Sequence, residues 1–310
     1  MLPTYLRGGC PCFPSLNPPA TFTSFLANFC HRLAHLSLMD LQLSAAQFSL
    51  LLCAPRKVYE FASIRKKQKN YYARDDPGFL LLLFSFSLAT GIVYALAFSH
   101  SALGGVFTAF APPVYLLLSA LVIPPSHYLF LLCRRRSSDS PASRSSPPGS
   151  SASSARSRER RSLSSSPACA CPEFLFCFDV HWNASFLYLV FGLVLYFVLF
   201  PLIRLLPSSL DCFFSNAIQV AAVAAYCYIT ALGFASLGFS DSPVPFSLPA
   251  LVFFVFALVA TASSVNLGEA VIRVLLYFQG HAIVPTAQRA EMTAFAVGDF
   301  SISTVPPAAS

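Results

Sequence analysis

Asp179, His181 and Asn183 are the side chains whose types and close spacing could do chemistry in this sequence. An aspartate, a histidine and an asparagine this close together could relay a proton or ligate a metal. However, they lie directly before an apolar segment, where such side chains more often cap a helix and where Trp182 would join an interfacial aromatic belt. We therefore expect a capping and anchoring role, with no catalytic residue, no metal and no cofactor.

Asp75 and Asp76 form a second candidate acid pair. Asp76 followed by Pro77 is typical of a helix start, because aspartate accepts hydrogen bonds from free N–H groups and proline suits the first helical position. Arg74 can pair with Asp75 at the membrane interface. The segment is thus interpreted as the beginning of a first membrane span and not as a catalytic pair.

The ten cysteines do not form a recognisable disulfide or metal-binding framework. Cys10 with Cys12 and Cys169 with Cys171 are pairs separated by one residue, and no histidine stands at the offsets that zinc sites use. We expect scattered thiols, some of them sites of palmitoylation.

The composition places these residues in a membrane protein. Hydrophobic residues make up 55% of the 310 and charged residues 11%, whereas soluble domains average roughly 45–50% and about 25%. A helix needs about 20 mostly apolar residues to cross a bilayer, because hydrocarbon offers its backbone no hydrogen-bond partner. The expected fold class is all-α, a polytopic membrane helix bundle with about five transmembrane helices: Phe79–Ser99, one helix between Ala102 and Cys133, Ser185–Ile203, Cys212–Leu237 and Phe246–Val265.

Two parts of this pattern leave alternatives open. The second span contains the proline pairs Pro112-Pro113 and Pro124-Pro125, which should kink the helix or set its ends. The segment Leu267–Gly280 is apolar but contains one acidic and one basic residue. It could be an amphipathic helix, a re-entrant helix or a sixth span.

The distribution of lysine and arginine predicts the orientation. Of these 20 residues, nine precede the first span and eight lie in the loop between the second and third spans. Since loops with such an excess stay in the cytosol, the N-terminus and this loop are expected there. Five spans then place the C-terminus in the lumen, and a sixth would reverse that side. The sequon Asn183-Ala184-Ser185 would face the cytosol, so we expect it to be unmodified.

The segment before the first span contains a predicted N-terminal amphipathic helix. Leu41, Ala45, Phe48 and Leu52 recur at helical spacing until Pro55, which is typical of a helix that lies on the bilayer or against the bundle. The predicted regions are a Pro-rich disordered segment without a signal peptide (1–38), cytosolic juxtamembrane helices (39–76), spans 1 and 2 (77–133), a disordered Ser/Arg-rich loop (134–172), spans 3 to 5 (173–265) and a tail (266–310).

A basic and aromatic patch follows this helix. Basic and aromatic side chains next to a span are typical of anchors at the level of the lipid headgroups. We therefore expect the lipid bilayer and its anionic phospholipid headgroups as partners, and we do not expect RNA. The candidate binding residues are Arg56, Lys57, Tyr59, Arg65, Lys66, Lys67, Lys69 and Arg74.

The Ser/Arg-rich loop has no periodic apolar residues and cannot form a packed core. It is interpreted as a disordered, phosphorylatable insertion. The alternative is an electrostatic switch, because Arg134, Arg135 and Arg136 directly follow the second span and each could attract anionic lipid.

Several motifs, taken in their order along the chain, resemble the signature of the Uncoordinated-50 (Unc-fifty) family of Golgi multispanning membrane proteins. The resemblance covers about residues 39–265, and it does not extend to the Pro-rich N-terminus, the enlarged Ser/Arg-rich loop or the tail. Asn216, Tyr226, Tyr228 and Leu232-Gly233-Phe234 resemble the fourth-span pattern of the family less specifically. The more specific steps are Met39-Asp40, Pro55-Arg56-Lys57-Val58-Tyr59, Arg65-Lys66-Lys67-Gln68-Lys69, Ala73-Arg74-Asp75-Asp76-Pro77 and Phe178-Asp179-Val180-His181-Trp182-Asn183.

The resemblance implies a multi-pass protein of the Golgi membrane, or of the ER or inner nuclear membrane. It implies a role in trafficking or assembly of cell-surface receptors, with receptor cargo and a large Arf guanine-nucleotide exchange factor as partners. A small-molecule or lipid transporter is the alternative, which the proline pairs of the second span favour. A membrane enzyme is not expected, because no constellation of His, Asp and Glu with usable spacing stands out within the spans.

Overall fold

The computed structural model describes residues 31, 40–69, 77–99, 101–138, 174–236 and 244–277, except the side chains of 65–69 and 135–138. This part of the chain is all helical. The predictions for 1–30, for Arg74, Asp75 and Asp76, for most of the Ser/Arg-rich loop and for 278–310 lie outside it. The helices are α1 (Leu41–Cys53), α2 (Pro55–Lys69), α3 (Gly78–Phe98), α4 (Ala102–Ser138), α5 (Phe174–Tyr188), α6 (Tyr196–Ile203), α7 (Ser208–Ser236), α8 (Val244–Ala262) and α9 (Leu267–Leu275).

Five helices of the described residues are long and apolar enough to cross a membrane, which confirms the predicted polytopic bundle. We number them in chain order. Span 3 joins α5 to α6 through a π-helical segment, Leu189–Leu195. The five are span 1 (Gly78–Phe98), span 2 (Ala102–Arg134), span 3 (Phe174–Ile203), span 4 (Ser208–Ser236) and span 5 (Val244–Ala262).

Spans 1 and 2 pack closely because span 1 has a glycine at their contact. A Cβ built on Gly91 would collide with the carbonyl oxygen of Ala109 and would lie 2.9 Å from Cδ of Pro112. Small residues allow such backbone approach between membrane helices, where association depends on packing and not on exclusion of water. Any larger residue at Gly91 would force the two helices apart.

Span 2 does not end at its prolines. Helix α4 contains all four of them in 37 residues, so the expectation that they could set its ends is wrong. In hydrocarbon, a helix that stopped at a proline pair would expose many more unpaired backbone groups than the few hydrogen bonds that the prolines remove. The continuous helix is therefore the less costly arrangement.

Two carbonyls of the π-helical segment of span 3 accept hydrogen bonds from side chains of neighbouring spans. The hydroxyl of Tyr94 in span 1 donates to the carbonyl of Leu193 (3.0 Å), and the side-chain amide of Gln219 in span 4 donates to that of Gly192 (3.0 Å). A π-helical turn misaligns the regular helical hydrogen bonds. These two side chains compensate for the defect and fix its position against spans 1 and 4.

Helix α1 packs against the bundle with a face that coincides with the predicted apolar stripe only at Phe48. Ser44 and Leu51 are buried, and the ring of Phe48 stacks on Phe186 of span 3 at 4.1 Å between centroids. Of the predicted apolar stripe, only Phe48 takes part in this contact, whereas Leu41, Ala45 and Leu52 are exposed. The helix begins as a capped helix should, since the Asp40 carboxylate accepts a hydrogen bond from the N–H of Leu43 (2.8 Å).

Two predicted helix ends can be compared with the structure. Pro77 directly precedes span 1, at the cap position of helix α3. In the tail, helix α9 has nine residues, which at 1.5 Å per residue is far too short to span a bilayer. It instead packs inward, and the hydroxyl of Tyr115 in span 2 donates to the carbonyl of Val274 (3.1 Å). The described part of the tail thus contains no sixth span.

Candidate functional site

Helix α2 is attached to the bundle through one apolar face. Val58, Tyr59 and Ala62 are almost fully buried, at the spacing of one side of a helix. The ring of Tyr59 fits against span 4 because residue 233 is glycine, where a Cβ would lie 3.0 Å from Cε1 of the tyrosine and 2.8 Å from Cγ2 of Val180. The buried face fixes the rotation of the helix, and its opposite face points away from the protein.

This packing separates the residues of the predicted basic patch. Arg56 and Lys57 are exposed, as a binding surface requires. Tyr59 is 1% exposed, so its predicted role at the lipid headgroups is wrong, because its ring is a contact between helices. Arg65, Lys66, Lys67 and Lys69 belong to the same helix, but their side chains, like Arg74, lie outside the described residues.

The motif around His181 lies inside span 3 and not before it. Span 3 begins at Phe174 instead of Ser185, and Asp179, His181 and Asn183 are at most 4% exposed. The predicted interfacial belt role of Trp182 is also wrong, since the indole is 9% exposed and contacts the ring of Phe84 in span 1. The predicted capping role of Asp179, His181 and Asn183 is wrong too, because these polar groups have partners inside the bundle.

Two stripes of polar residues run along this part of span 3. Asp179 and Asn183 lie one turn apart with their side chains 3.5 Å from each other, and the side-chain amide of Gln47 in helix α1 donates to the Oδ1 of Asn183 (3.1 Å). His181 and Ser185, also one turn apart, face spans 2 and 4. One stripe therefore holds the N-terminal helix on the bundle, and the other lies at its centre.

The second stripe belongs to a group of four side chains, Ser119, His181, Ser185 and Tyr226, which we call the His181 cluster. The Ser119 hydroxyl already donates to the carbonyl of Leu116 (2.8 Å), so its oxygen accepts from Nε2–H of His181 (3.2 Å). Nδ1 then accepts from the Tyr226 hydroxyl (2.8 Å). This assignment follows from the hydrogen-bond network. It leaves a neutral imidazole that joins spans 2, 3 and 4.

A cavity of about 530 Å³ lies beside the His181 cluster. Spans 2, 3, 4 and 5 and helix α9 form its walls, and most of the lining side chains are apolar. None of the described residues that line it is Asp, Glu, Lys or Arg. The polar side chains on its walls are Tyr115, Ser119, His181, Ser185, Tyr188, Gln219 and Tyr226.

A second polar group, which we call the Arg204 cluster, joins the ends of spans 3, 4 and 5 to helix α9. It consists of Arg204, Asp211, Asn216, Asn266 and Glu269. Arg204 pairs with Asp211 (2.9 Å) and approaches Glu269 (3.8 Å), and Asn266 caps helix α9 while donating to Asp211. Asn216 binds the carbonyl of Val265 and the N–H of Leu267. The cluster thus holds the turn that directs α9 back toward the bundle.

Comparison with known proteins decides the family. The sequence model of the UNC-50 family matches residues 29–276, which include all five spans and helices α1, α2 and α9. This chain belongs to the UNC-50 family. It is a multi-pass membrane protein of that kind, as the resemblance of its motifs implied.

Curated relatives of the UNC-50 family match most of the chain. Protein unc-50 of Caenorhabditis elegans is 28% identical over 244 residues, which are 79% of this chain and 72% of that protein. Protein unc-50 homolog of Dictyostelium discoideum is 24% identical over 83% of this chain and 90% of its own length. Protein GMH1 homolog of Schizosaccharomyces pombe is 27% identical over 72% and 86%. These three names denote no enzymatic activity, and no solved structure matches the chain.

The structure brings together motifs of the UNC-50 signature that are far apart in the chain. Tyr59 of the Pro-x-x-Val-Tyr step meets Val180 of span 3 and Gly233 of span 4 at one contact. His181 of span 3 meets Tyr226 of span 4 at a second. These steps of the signature therefore meet at contacts between helices, and its polar residues His181 and Tyr226 serve the packing of the bundle.

Several residues of the site were not identified from the sequence. The sequence assigned no role to Gln47, Ser119, Arg204 or Asp211. The available signal was polarity itself, since a glutamine or a charged residue within or beside an apolar helix needs a partner. Two ionisable side chains, Asp179 of span 3 and Asp211 at the start of span 4, are buried. Among the described residues, no three His, Cys, Asp or Glu side chains group as a metal site would require.

Proposed function

We propose that this UNC-50 family member is a Golgi membrane protein that acts as a trafficking or assembly factor in the secretory pathway. In this proposal, helix α2 lies on the cytosolic face and recruits an Arf guanine-nucleotide exchange factor, while the bundle engages receptor cargo. The observation that carries it is the fixed rotation of α2, which buries Tyr59 and exposes Arg56 and Lys57.

The exposed face of α2 has the chemistry of a docking surface. Phe61 and Ile64 are 52% and 49% exposed, so apolar and basic side chains are presented together, as in many protein interfaces. Each basic residue near an anionic leaflet contributes roughly 1 kcal/mol of attraction. A peripheral protein could therefore bind the helix and the membrane surface at once. The partner class comes from the family resemblance.

Recruitment can be tested by charge reversal. The variant Arg56→Glu with Lys57→Glu should reduce the amount of exchange factor on Golgi membranes by about 10-fold, because two attractive charges become repulsive. The matched control reverses Arg158 and Arg160 in the Ser/Arg-rich loop and should recruit normally. Membrane insertion of both variants is checked by protease protection. Normal recruitment by the α2 variant would rule out this surface.

The Golgi location and the orientation need a separate test. Proximity labelling from a tag at the N-terminus should mark cytosolic proteins of the Golgi surface, with colocalisation against Golgi markers. Labelling of lumenal proteins, or a glycan on Asn183, would contradict the proposed orientation. Asn183 is 1% exposed, so a glycosylating enzyme could reach it only before the bundle folds.

A transporter is the second candidate function, because a cavity lies among spans 2 to 5 next to the proline pair at Pro112. Transport would require substrate flux in proteoliposomes that depends on span 2. A variant with Ser119→Trp would block the cavity and should abolish such flux. Absence of any flux for lipid and small-molecule substrates would leave the trafficking role as the better account.

A further inference from the structure

We propose that the cavity beside the His181 cluster binds one uncharged membrane lipid with a single hydroxyl group, of the sterol class. The hydroxyl of this lipid would hydrogen-bond to Ser185 and Tyr188 in span 3. The site is independent of the α2 surface and does not rest on the recruitment role.

The walls of the cavity select an uncharged ligand. No ionised side chain is found among the described residues that line it, and hydrocarbon surrounds the bundle. A phosphate or ammonium headgroup would enter such a space without a counter-charge, at a cost of many kcal/mol. A neutral amphiphile loses only the hydration of its one polar group, which hydroxyl groups on the wall can replace.

Two hydroxyl groups on the same face of span 3 have hydrogen-bonding capacity to spare. Tyr188 lines the cavity, and its hydroxyl makes no hydrogen bond with any other residue that the structure describes. Ser185, one turn earlier on the helix, contacts Nε2 of His181 only at 3.5 Å, which is the limit for a hydrogen bond. The shorter contact of that nitrogen is with Ser119. A ligand hydroxyl between Ser185 and Tyr188 could both donate and accept.

The size of the cavity suits a compact lipid. Pockets for small molecules measure about 300–1,000 Å³, and this one measures about 530 Å³. A phospholipid with two long chains would fill it with part of one chain and leave the hydroxyl groups unused. A rigid sterol also loses little conformational entropy on binding. Val271 and Val274 of helix α9 and Phe253 of span 5 provide the apolar wall for its ring system.

Photolabelling tests the proposal. The full-length protein in phosphatidylcholine nanodiscs is irradiated with a diazirine analogue of cholesterol, with unlabelled cholesterol as competitor. Labelling of peptides from the cavity wall should be saturable. Val223→Trp fills the cavity from span 4 and should reduce labelling at least 10-fold. Val252→Trp is the matched control, because this side chain is 62% exposed on span 5 and does not line the cavity.

A second variant tests the hydrogen bond and keeps the ring. Tyr188→Phe removes a hydroxyl that has no partner among the described residues, so the fold should persist, and the affinity for cholesterol should fall by about 5-fold, the effect of one hydrogen bond. Tyr228→Phe, on an exposed face of span 4, should bind like the wild type. Cholesterol should also raise the thermal unfolding midpoint of the wild type more than that of Val223→Trp.

Three results would overturn the proposal. The first is equal labelling of the cavity by a photoreactive phosphatidylcholine, which would mean that acyl chains fill it. The second is cholesterol affinity that Tyr188→Phe does not change. The third is stronger competition by a long-chain fatty alcohol than by cholesterol, which would assign the hydroxyl groups to a flexible single-chain lipid.

Discussion

The His181 cluster and the Arg204 cluster place polar side chains in the same bundle in opposite ways. The first lies within spans 2, 3 and 4, is joined by neutral hydrogen bonds, and has its histidine 1% exposed. The second lies where spans 3, 4 and 5 end, contains ion pairs, and leaves the side chain of Arg204 34% exposed. The difference shows how the bundle distributes charge: neutral groups join helices in the interior, and ions join them where water is within reach.

The two clusters also hold different elements. The His181 cluster connects spans, and the polar stripe behind it holds helix α1. The Arg204 cluster holds helix α9, which forms one wall of the cavity. Mutations in the His181 cluster should therefore loosen the packing of spans 2, 3 and 4. Mutations in the Arg204 cluster should release helix α9, which is one wall of the cavity.

Asp211→Ala should have the largest effect on stability. It removes the partner of Arg204 and an acceptor for Ser215 and Asn266. Asp211 is buried, but water partly screens the ion pair because the side chain of Arg204 is 34% exposed. Three lost interactions of about 1 kcal/mol each should lower the unfolding free energy by about 3 kcal/mol, which steric trapping in bicelles can measure. The control, Glu60→Ala on the exposed side of α2, should leave the unfolding free energy unchanged. Equal values for the two variants would contradict the role of the Arg204 cluster.

Asn216→Ala should come next, at about 2 kcal/mol, because the side chain makes three hydrogen bonds at the turn before helix α9. Limited proteolysis should also cut near residue 277 more rapidly than in the wild type. Combined with Asp211→Ala, the loss should be less than additive, since both changes release the same turn. Full additivity would mean that the two residues act independently.

The pair His181 and Tyr226 should show a smaller effect. A double-mutant cycle with His181→Phe and Tyr226→Phe should give a coupling energy of about 1 kcal/mol, because hydrogen bonds between membrane helices are individually modest. The ring of residue 181 is kept, so its contact with Trp182 should persist. A coupling energy of zero would mean that the hydrogen bond of Tyr226 to the imidazole does not join spans 3 and 4.

Arg273→Ala should have the smallest effect. Arg273 pairs with Glu269 one turn away, but its side chain is 76% exposed. Exposed pairs of this kind contribute about 0.3–0.5 kcal/mol. A loss of unfolding free energy as large as that of Asp211→Ala would show that the Arg204 cluster extends to Arg273. The distinction between ion pairs at the bundle and ion pairs in solvent would then be wrong.

The sequence predicts the spans well because the requirement of the bilayer is local. Twenty apolar residues in a row are visible without any knowledge of neighbours, and all five spans were located in this way. Charged residues are rare within the spans, so the charged loops between them are easily recognised in the sequence. The family, too, could be recognised, since its signature is an ordered set of short motifs.

The role of the polar motif in span 3 could not be predicted from the residues next to it in the sequence. His181 has its partners 62 residues before it and 45 after it, and Asn183 is held by a residue 136 positions away. Without these partners, a polar trio next to an apolar run is interpreted as interfacial, and that interpretation is wrong here because the trio is buried. The same is true of Tyr59, whose burial depends on a glycine in span 4.

Crosslinking of Gln47 to Asn183 tests the central claim, that the polar motif of span 3 lies inside the bundle and holds the N-terminal helices there. In a cysteine-free background with a protease site in the Ser/Arg-rich loop, Gln47→Cys with Asn183→Cys should be joined in native membranes by a short bifunctional thiol crosslinker, since Nε2 of Gln47 and Oδ1 of Asn183 are 3.1 Å apart in the wild type. The two halves should then stay joined after cleavage. Gln47→Cys with Ser185→Cys, on the other stripe, should separate. Separation of both pairs, or crosslinking of both equally, would contradict the account.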